Sequence, residues 1–443
     1  MLDVGASCSL LVPLGLWILE LGIFSQCGYI LLPGCSGKPA RQNKNRMSLK
    51  SFFEEFAARL RDFIVSSSSR PGAADPRIFE SLALELFALQ FEHNLAYRKI
   101  CDARRVSPQT IEHWTQIPTV PTTAFKELEL SCLPVQERTF SFHSSGTTQQ
   151  RPSRHFHNAE SLAVYEASLW AWFVAHLAAS RIPSPPLEER ARERRPFRQS
   201  RTTTHQRHDE PLAIGDWQLA VLTPSPDQVP HSSLVHMFGT IRLALGANES
   251  AFLARVGSDG GWTLDLERTT AALGQFAQNK PPVLLLGTAF SFVHLLDYLA
   301  AQNLCFQLPP GSRVVETGGY KGRSRDVPKR ELHALITARL AVAPAHIICE
   351  YGMSELSSQA YTRASHSSHF LFPPWARAQI ISPETGREVR EGEAGLIRVF
   401  DLANVYSVMA IQTEDLGIRR ANGFELLGRA TLAEPRGCSL MAV

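Results

Sequence analysis

The stretch from Pro281 to Glu355 constrains the fold more than any other. "PPVLLLGTAF" is a short apolar run that passes straight into a helical pattern, "FVHLLDYLAAQ". "GSRVVETGGY" and "AHIICEYGMSE" are further apolar runs, each breaking at a glycine or a polar turn. Between those two lies the helix "DVPKRELHALITARLAV", opened by Asp326 and Pro328. "WQLAVLTPSP" supplies an earlier strand of the same kind. Strand, turn, helix, strand is the pattern of an α/β sheet, whose sites lie where strands end and loops begin.

Helices lead into this region. Ser51 and Glu54 form a capping-box pattern, and Phe52, Phe53, Phe56, Leu60 and Phe63 recur at helical spacing, which predicts a helix over about residues 52–65. "DPRIFESLALELFALQFEHNLAYRKICDARR" predicts one longer helix with Asp75 as N-cap and Pro76 in its first turn. "IPTVPTTAFKELEL" is broken by proline and extended at first. "PSRHFHNAESLAVYEASLWAWFVAHLAAS" predicts a helix, with Leu162, Tyr165, Leu169 and Phe173 along one side. From about Phe370 the strands shorten, with turns at "SPETGRE", "EGEAG" and "RANG", which predicts a small β-rich subdomain.

The expected organisation is therefore an extension outside the core at 1–46, an α/β domain at 47–369, and a β-rich subdomain with a cysteine-bearing tail at 370–443. Residues 181–210 carry almost no large aliphatic side chains and read as a solvated, disordered insertion, with an RNA-binding arm as the sharper alternative. The first 46 residues hold an apolar stretch that Pro13 and Glu20 interrupt and that no Lys or Arg precedes, which reads as a non-functional upstream extension, with a leader or a weak membrane anchor as the alternatives. Met47 begins a more ordinary protein start. A net charge of +3 points to neither nucleic acid nor a membrane surface as partner. Eight cysteines in 443 residues, none in CxxC spacing, predict reduced thiols and a cytoplasmic setting.

"SSGTT", Ser144 to Thr148, places a glycine among hydroxyls ahead of the helix. Converging backbone N–H groups and hydroxyl donors suit an anion. The same composition also suits an ordinary serine-rich turn. It is no Walker loop, since the GK[ST] ending is missing. Three further signals follow in order: "ETGGYKG" (316–322), "EYGMSE" (350–355), and "TEDLG" (413–417) with a later "GRA" (428–430), each expected at a strand end or turn.

This ordered set resembles the adenylate-forming ligase superfamily. More narrowly, the "LFALQFEHNLAYRKIC" helix, the "PTTAFK" entry, the Gly-Gly-aromatic-Lys block and the terminal "RGCSL" look like the acyl-protein synthetases of bacterial luminescence, the long-chain fatty acid–luciferin-component ligases. The resemblance covers most of residues 50–440. It implies an α/β adenylation domain with a small β-rich C-terminal part and without the large mobile lid of most of the superfamily. It implies activation of a carboxylic acid substrate, a fatty acid above all, by ATP and Mg2+, then transfer of the acyl group to a thiol.

Carried over by motif, Ser144, Ser145, Gly146, Thr147 and Thr148 look like the triphosphate loop. Gly318 and Gly319 would let adenine approach the backbone, and Tyr351 would face the base. Ser354 would contact the α-phosphate, and Glu355 would be the Mg2+ ligand, or else a surface acid capping a helix. Asp415 would hold the ribose hydroxyls, or cap a turn; Arg429 would sit beside it, or be a plain surface charge. Lys321, or Arg323, would supply charge that a lid lysine otherwise brings. Cys438 matches the acyl-carrying cysteine, with Arg436 favouring its thiolate, although alone it reads as a loose tail thiol.

Gln149 stands where the pattern has glycine, with Arg151 or Arg154 as substitute charges, and Ser354 stands where threonine is commoner. The expected next acceptor is a partner acyl reductase or carrier protein. The rival readings are transfer to coenzyme A, as in the similar phenylacetate ligases, and a nucleotide-binding pseudoenzyme that scaffolds a partner.

Overall fold

Two helices at the start show how closely the periodicity is obeyed and where it fails. In a computed structural model, the chain is described over residues 49–68, 75–144, 151–179, 217–258, 260–318, 327–362 and 368–430, all within the unit Ser48–Val443. Helix α1 (Leu49–Ser68) buries Phe53, Phe56, Leu60 and Phe63 as the spacing predicts, whereas Phe52, counted in the same apolar set, is exposed. Each such side chain taken fully from water contributes about 1.5–3 kcal/mol.

The single long helix expected after Asp75 is two. Asp75 caps α2 (Pro76–His93), its carboxylate accepting from the Arg77 N–H. The helix then stops at Asn94, which takes an extended conformation. Its side-chain oxygen accepts from the Tyr97 N–H and so starts α3 (Leu95–Ala103), while its amide donates to the Ser407 carbonyl at 3.5 Å. A buried asparagine with both jobs ends one helix and caps the next.

Strand β1 (Val120–Pro121), helix α4 (Ala124–Glu127) and strand β2 (Phe140–His143) follow. Residues 154–157, expected as the start of a helix, form strand β3 (Arg154–His157), antiparallel to β2, and helix α5 (Ala159–Ala179) begins after Asn158. Tyr165, Leu169 and Phe173 are buried along α5 as its pattern predicts. The insertion at 181–210 lies outside the described residues, as do residues 1–46.

After β4 (Gln218–Val221) come α6 (Ser233–Ala244), the hairpin β5 (Ala254–Val256) and β6 (Trp262–Leu264), and α7 (Leu266–Gln278). The sequence reading anticipates neither helix, although Ser232 and Asp265 cap them. Then the predicted series runs true: β7 (Val283–Thr288), α8 (Ala289–Ala301), β8 (Arg313–Thr317), α9 (Lys329–Leu340) and β9 (Ile347–Tyr351). Short strands β10 (Ala360–Thr362) and β11 (His369–Leu371) lead to β12 (Ala376–Ile381), β13 (Ala394–Asp401), β14 (Ala410–Arg420) and β15 (Gly423–Arg429).

One sheet of 11 strands holds most of these, in the order β12-β13-β14-β15-β11-β10-β9-β8-β7-β4, with β1 parallel to β14. Strands β4, β7, β8 and β9 are parallel, and those from β10 to β15 pair antiparallel. The parallel strands are buried on both faces, as a sheet between helical layers requires. Leu284, Leu286 and Val315 join a core with α1, α2 and α5, while Val283, Leu285 and Val314 join a second core with α7, α8 and α9. The β-rich C-terminal strands expected from residue 370 continue this sheet. Among the described residues no helix is long and apolar enough to cross a membrane.

Candidate active site

Ser144, after β2, and Ser153, before β3, pair with each other. Ser144 N–H donates to the Ser153 carbonyl at 3.2 Å, and Ser153 N–H donates back to Ser144 Oγ at 2.9 Å. Ser145, Gly146, Thr147 and Thr148, together with Gln149, lie outside the described residues, so Ser144 alone of the predicted phosphate loop is placed.

This closure meets the segment after β9. Ser153 and Ser354 bring their hydroxyls to 3.4 Å, and His155 Nδ1 donates to the Ser354 carbonyl at 3.0 Å. Ser354 Oγ donates to Glu355 Oε2 at 3.0 Å. Glu355 is 6% exposed, so it is no surface acid. His155 is pushed down to about 4 by burial, and its carbonyl partner only partly opposes this, so the ring is neutral and keeps a proton on Nδ1. Arg154, one residue along, leaves β3 on the other face and pairs with Glu129 at 3.6 Å, turned away from Ser354. Arg151 is exposed.

Asp401, at the end of β13, pins the same segment. It accepts from Ser357 N–H at 2.8 Å, Ser358 N–H at 2.7 Å, Ser358 Oγ at 2.6 Å and Ala403 N–H at 3.0 Å. Burial raises its carboxyl despite these donors. Asn404 adds a bond from its amide to the Glu355 carbonyl at 2.9 Å. Ser153, His155, Asp401 and Asn404 were not singled out from the sequence. The alternation of Ser153, His155 and His157, all buried, was the available signal for the first two.

Three residues before Ser354, Tyr351 begins a second group. Its ring packs edge-on against Phe424 at 5.2 Å and against Phe370 and Phe372, and its hydroxyl donates to Asp415 Oδ2 at 2.9 Å. Asp415, expected at a turn, lies inside β14 instead, where a register shift falls between Leu416 and Gly417. It faces Arg429 across the ladder, and Arg429 Nε stands 3.9 Å from Asp415 Oδ1 with its side chain 80% exposed. Burial raises the Asp415 carboxyl, against the Tyr351 hydroxyl and Arg429.

The strand ends beneath are tightly fitted. Thr317 Oγ1 donates to Glu350 Oε2. Burial pushes the Glu350 carboxyl up to about 7, with Thr317 opposing. A Cβ at position 352 would lie 2.4 Å from Glu350 Oε1, so a side chain there would require that carboxylate to shift. Gly318 has φ +71° and open space around it, so there the backbone conformation calls for glycine. Gly319, Lys321, Arg323 and Cys438 lie outside the described residues. A cleft of about 870 Å³ between α3 and residues 128–138, lined by Leu95, Ile100, Leu133 and Val135, contains none of these residues. The bonded network, not cavity size, marks the site.

Of the predicted residues, then, Ser144, Ser354 and Glu355 converge, Tyr351, Asp415 and Arg429 converge, and the segment 351–355 joins the two groups. A buried carboxylate beside hydroxyls suits a hard cation and phosphate oxygens.

Comparison with known proteins bears on the family and the fold. A family model described as "Acyl-protein synthetase, LuxE" matches residues 162–442. Two curated relatives are both named long-chain-fatty-acid–luciferin-component ligase. That of Aliivibrio fischeri is 21% identical over 378 residues, 82% of this chain and 87% of that protein. That of Vibrio harveyi is 22% identical over 186 residues, 40% and 49% of the two. Among solved structures, 2-hydroxyisobutyryl-CoA ligase in an open conformation, in complex with 2-HIB-AMP and CoA, matches with a TM-score of 0.50 and 16% identity over 79% of this chain and 69% of that one. The same ligase in its postadenylation state gives 0.52 and 15%, over 81% and 72%. At such identities the likeness is one of fold, and the α/β fold expected from the motifs is the one observed.

Proposed function

The chain belongs to the acyl-protein synthetase family, and from that premise we propose that it activates a fatty acid with ATP and passes the acyl group to a protein thiol. The observation that carries this reading is the meeting of the Ser144–Ser153 closure with the Ser354–Glu355 turn. It brings the start of a hydroxyl-rich loop to a buried carboxylate. The curated relatives' names, which specify a long-chain fatty acid, support the substrate class.

In the first step a carboxylate oxygen of the acid attacks the α-phosphorus, the α–β anhydride bond breaks, and pyrophosphate leaves with that electron pair. Little covalent work falls to the protein; it positions and stabilises. Ser144, Ser145, Gly146, Thr147 and Thr148 cradle the phosphates, and Ser354 Oγ orients the α-phosphate. The donor chemistry of Glu355 fits Mg2+, which when bound supplies positive charge to the phosphate oxygens. Gly318 and Gly319 border the adenine, with Tyr351 beside it, and Asp415 holds the ribose with Arg429 near. Lys321 adds positive charge for the phosphates.

In the second step the Cys438 thiolate attacks the acyl carbonyl carbon. AMP leaves with the anhydride electron pair, and the thiol proton goes to solvent. A partner reductase or carrier then takes the acyl group.

The test is pyrophosphate release with a panel of carboxylates of rising chain length, followed by intact-mass analysis. We expect release with long-chain acids, an acyl adduct on the wild type, and loss of that adduct in Cys438→Ser with release retained. Glu355→Gln should cut release by at least about 100-fold, the scale of a lost transition-state electrostatic contact. Silence across the panel with ATP still bound would make the chain a nucleotide-binding scaffold. Thioester formation only with added coenzyme A would make the acceptor that small thiol.

A further inference from the structure

Just behind the nucleotide-facing strand ends lies a second set of chemistry-bearing side chains. Glu316 in β8 and Cys349 in β9 are register partners, so their side chains leave the sheet side by side. They share a face with Val314 and Ile347, which pack into the core beneath α9. His333, from α9, reaches both. Its Nε2 is 3.4 Å from Glu316 Oε2 and 3.7 Å from Cys349 Sγ, and one donor atom from each of the three lies within 4.8 Å of the others. Glu316 and Cys349 are 1% and 3% exposed, and His333 is half-buried.

The two distances from His333 Nε2 are those between neighbouring ligands of one metal ion. Zinc bonds of about 2.0–2.3 Å in a tetrahedron put neighbouring donor atoms roughly 3.3–3.7 Å apart. A thiolate, an imidazole and a carboxylate together favour zinc over magnesium or calcium, which want oxygen alone. Three protein ligands leave a fourth position for water. The competitor is the protein's own cation. Lys329 Nζ stands 3.8 Å from the same Glu316 Oε2, and its side chain is 44% exposed, so it has a path into solvent.

We propose that Glu316, His333 and Cys349 form a binding site for one Zn2+ ion that ties α9 to β8 and β9. Binding forms one bond each to carboxylate oxygen, Nε2 and sulfur. The thiol proton passes to solvent, and nothing is oxidised or reduced. Thr317–Gly318 and Glu350–Tyr351 are the next residues along the two strands, so the ion braces the ends that carry the candidate nucleotide loops. The site stands independently of the proposed acid activation.

The experiment is titration of the full-length, metal-stripped chain with Zn2+ against a chromophoric chelator, and with Co2+ as a spectroscopic stand-in. The expected result is stoichiometric Zn2+ uptake and, with Co2+, tetrahedral visible bands plus a near-ultraviolet thiolate-to-metal band. Cys349→Ser should remove the thiolate band. His333→Gln should weaken Zn2+ by at least about tenfold, the lower end of what even a supporting residue costs. Lys329→Gln should tighten it. If Cys349→Ser does not fold, His333→Gln and Lys329→Gln still decide, since a merely structural cluster predicts no opposite shifts in zinc affinity. Absence of uptake, a thiolate band that survives in folded Cys349→Ser, or wild-type affinity in His333→Gln would overturn the site.

Discussion

The two ends of the 351–355 segment are built in opposite ways. Ser354 and Glu355 sit in a buried network whose members, Ser153, His155, Asp401 and Asn404, arrive from other parts of the chain. Asp415 and Arg429 meet as opposed residues of one hairpin, with Arg429 largely in water. A buried polar group that loses its partner keeps its full desolvation cost, whereas a cation that stands in water trades one solvated state for another. The contrast teaches that the serine end is unforgiving of change, while at the other end Arg429, standing in water, is tolerant.

The strongest way to break that contrast is Asp401→Ala, which leaves the N–H groups of Ser357, Ser358 and Ala403 without their acceptor. Urea unfolding should show a loss of at least about 3 kcal/mol, since each buried orphan costs about 1–3. A loss below about 1 kcal/mol would erase the distinction between the two ends.

Two buried groups near this segment titrate with opposite signs. His155 is pushed down to about 4 in the fold, from 6.5, so its stability is present above pH 6.5 and is lost as pH falls through 4. Glu350 is pushed up to about 7, from 4.5, so its stability is full below pH 4.5 and is lost as pH rises through 7. Unfolding free energy measured from pH 4 to pH 8 should therefore lose part of its acid limb in His155→Gln and part of its alkaline limb in Glu350→Gln. Unchanged limbs in both variants would remove the electrostatic basis of the comparison.

The smallest effect belongs to Arg429→Ala, which should change stability by less than about 0.5 kcal/mol. A raised KM for ATP with an unchanged melting temperature would sharpen the assignment of Arg429 to the ribose; a marked fall in melting temperature would contradict the tolerance of this end.

Much of the frame is legible in the sequence. The β7–α8–β8–α9–β9 series follows from apolar runs bounded by glycine and polar turns, because those patterns are local. The strand at residues 154–157 is hidden because a strong helical pattern begins only two residues later, at Ala159, and overlies four residues of alternation. The stop at Asn94 was hidden because an asparagine inside a helical pattern carries no sign of the Ser407 carbonyl that holds it. Strands β10 and β11, three residues each, are too short to show a period. Asp401 looked like one acid among many, and only enclosure distinguishes it.

By itself, then, the sequence determined the alternation of strands and helices from residue 281 to 355 and the order of the motifs, since hydrophobic period and turn chemistry act between near neighbours. Tertiary structure alone decided which of those residues meet. Ser153 finds Ser354 across 201 positions of chain, and Glu316, His333 and Cys349 gather because β8 and β9 lie side by side under α9. The physical reason is that a buried polar atom must be satisfied by whatever the packing of sheet and helices brings within about 3 Å, and that choice is made by the arrangement of strands in space.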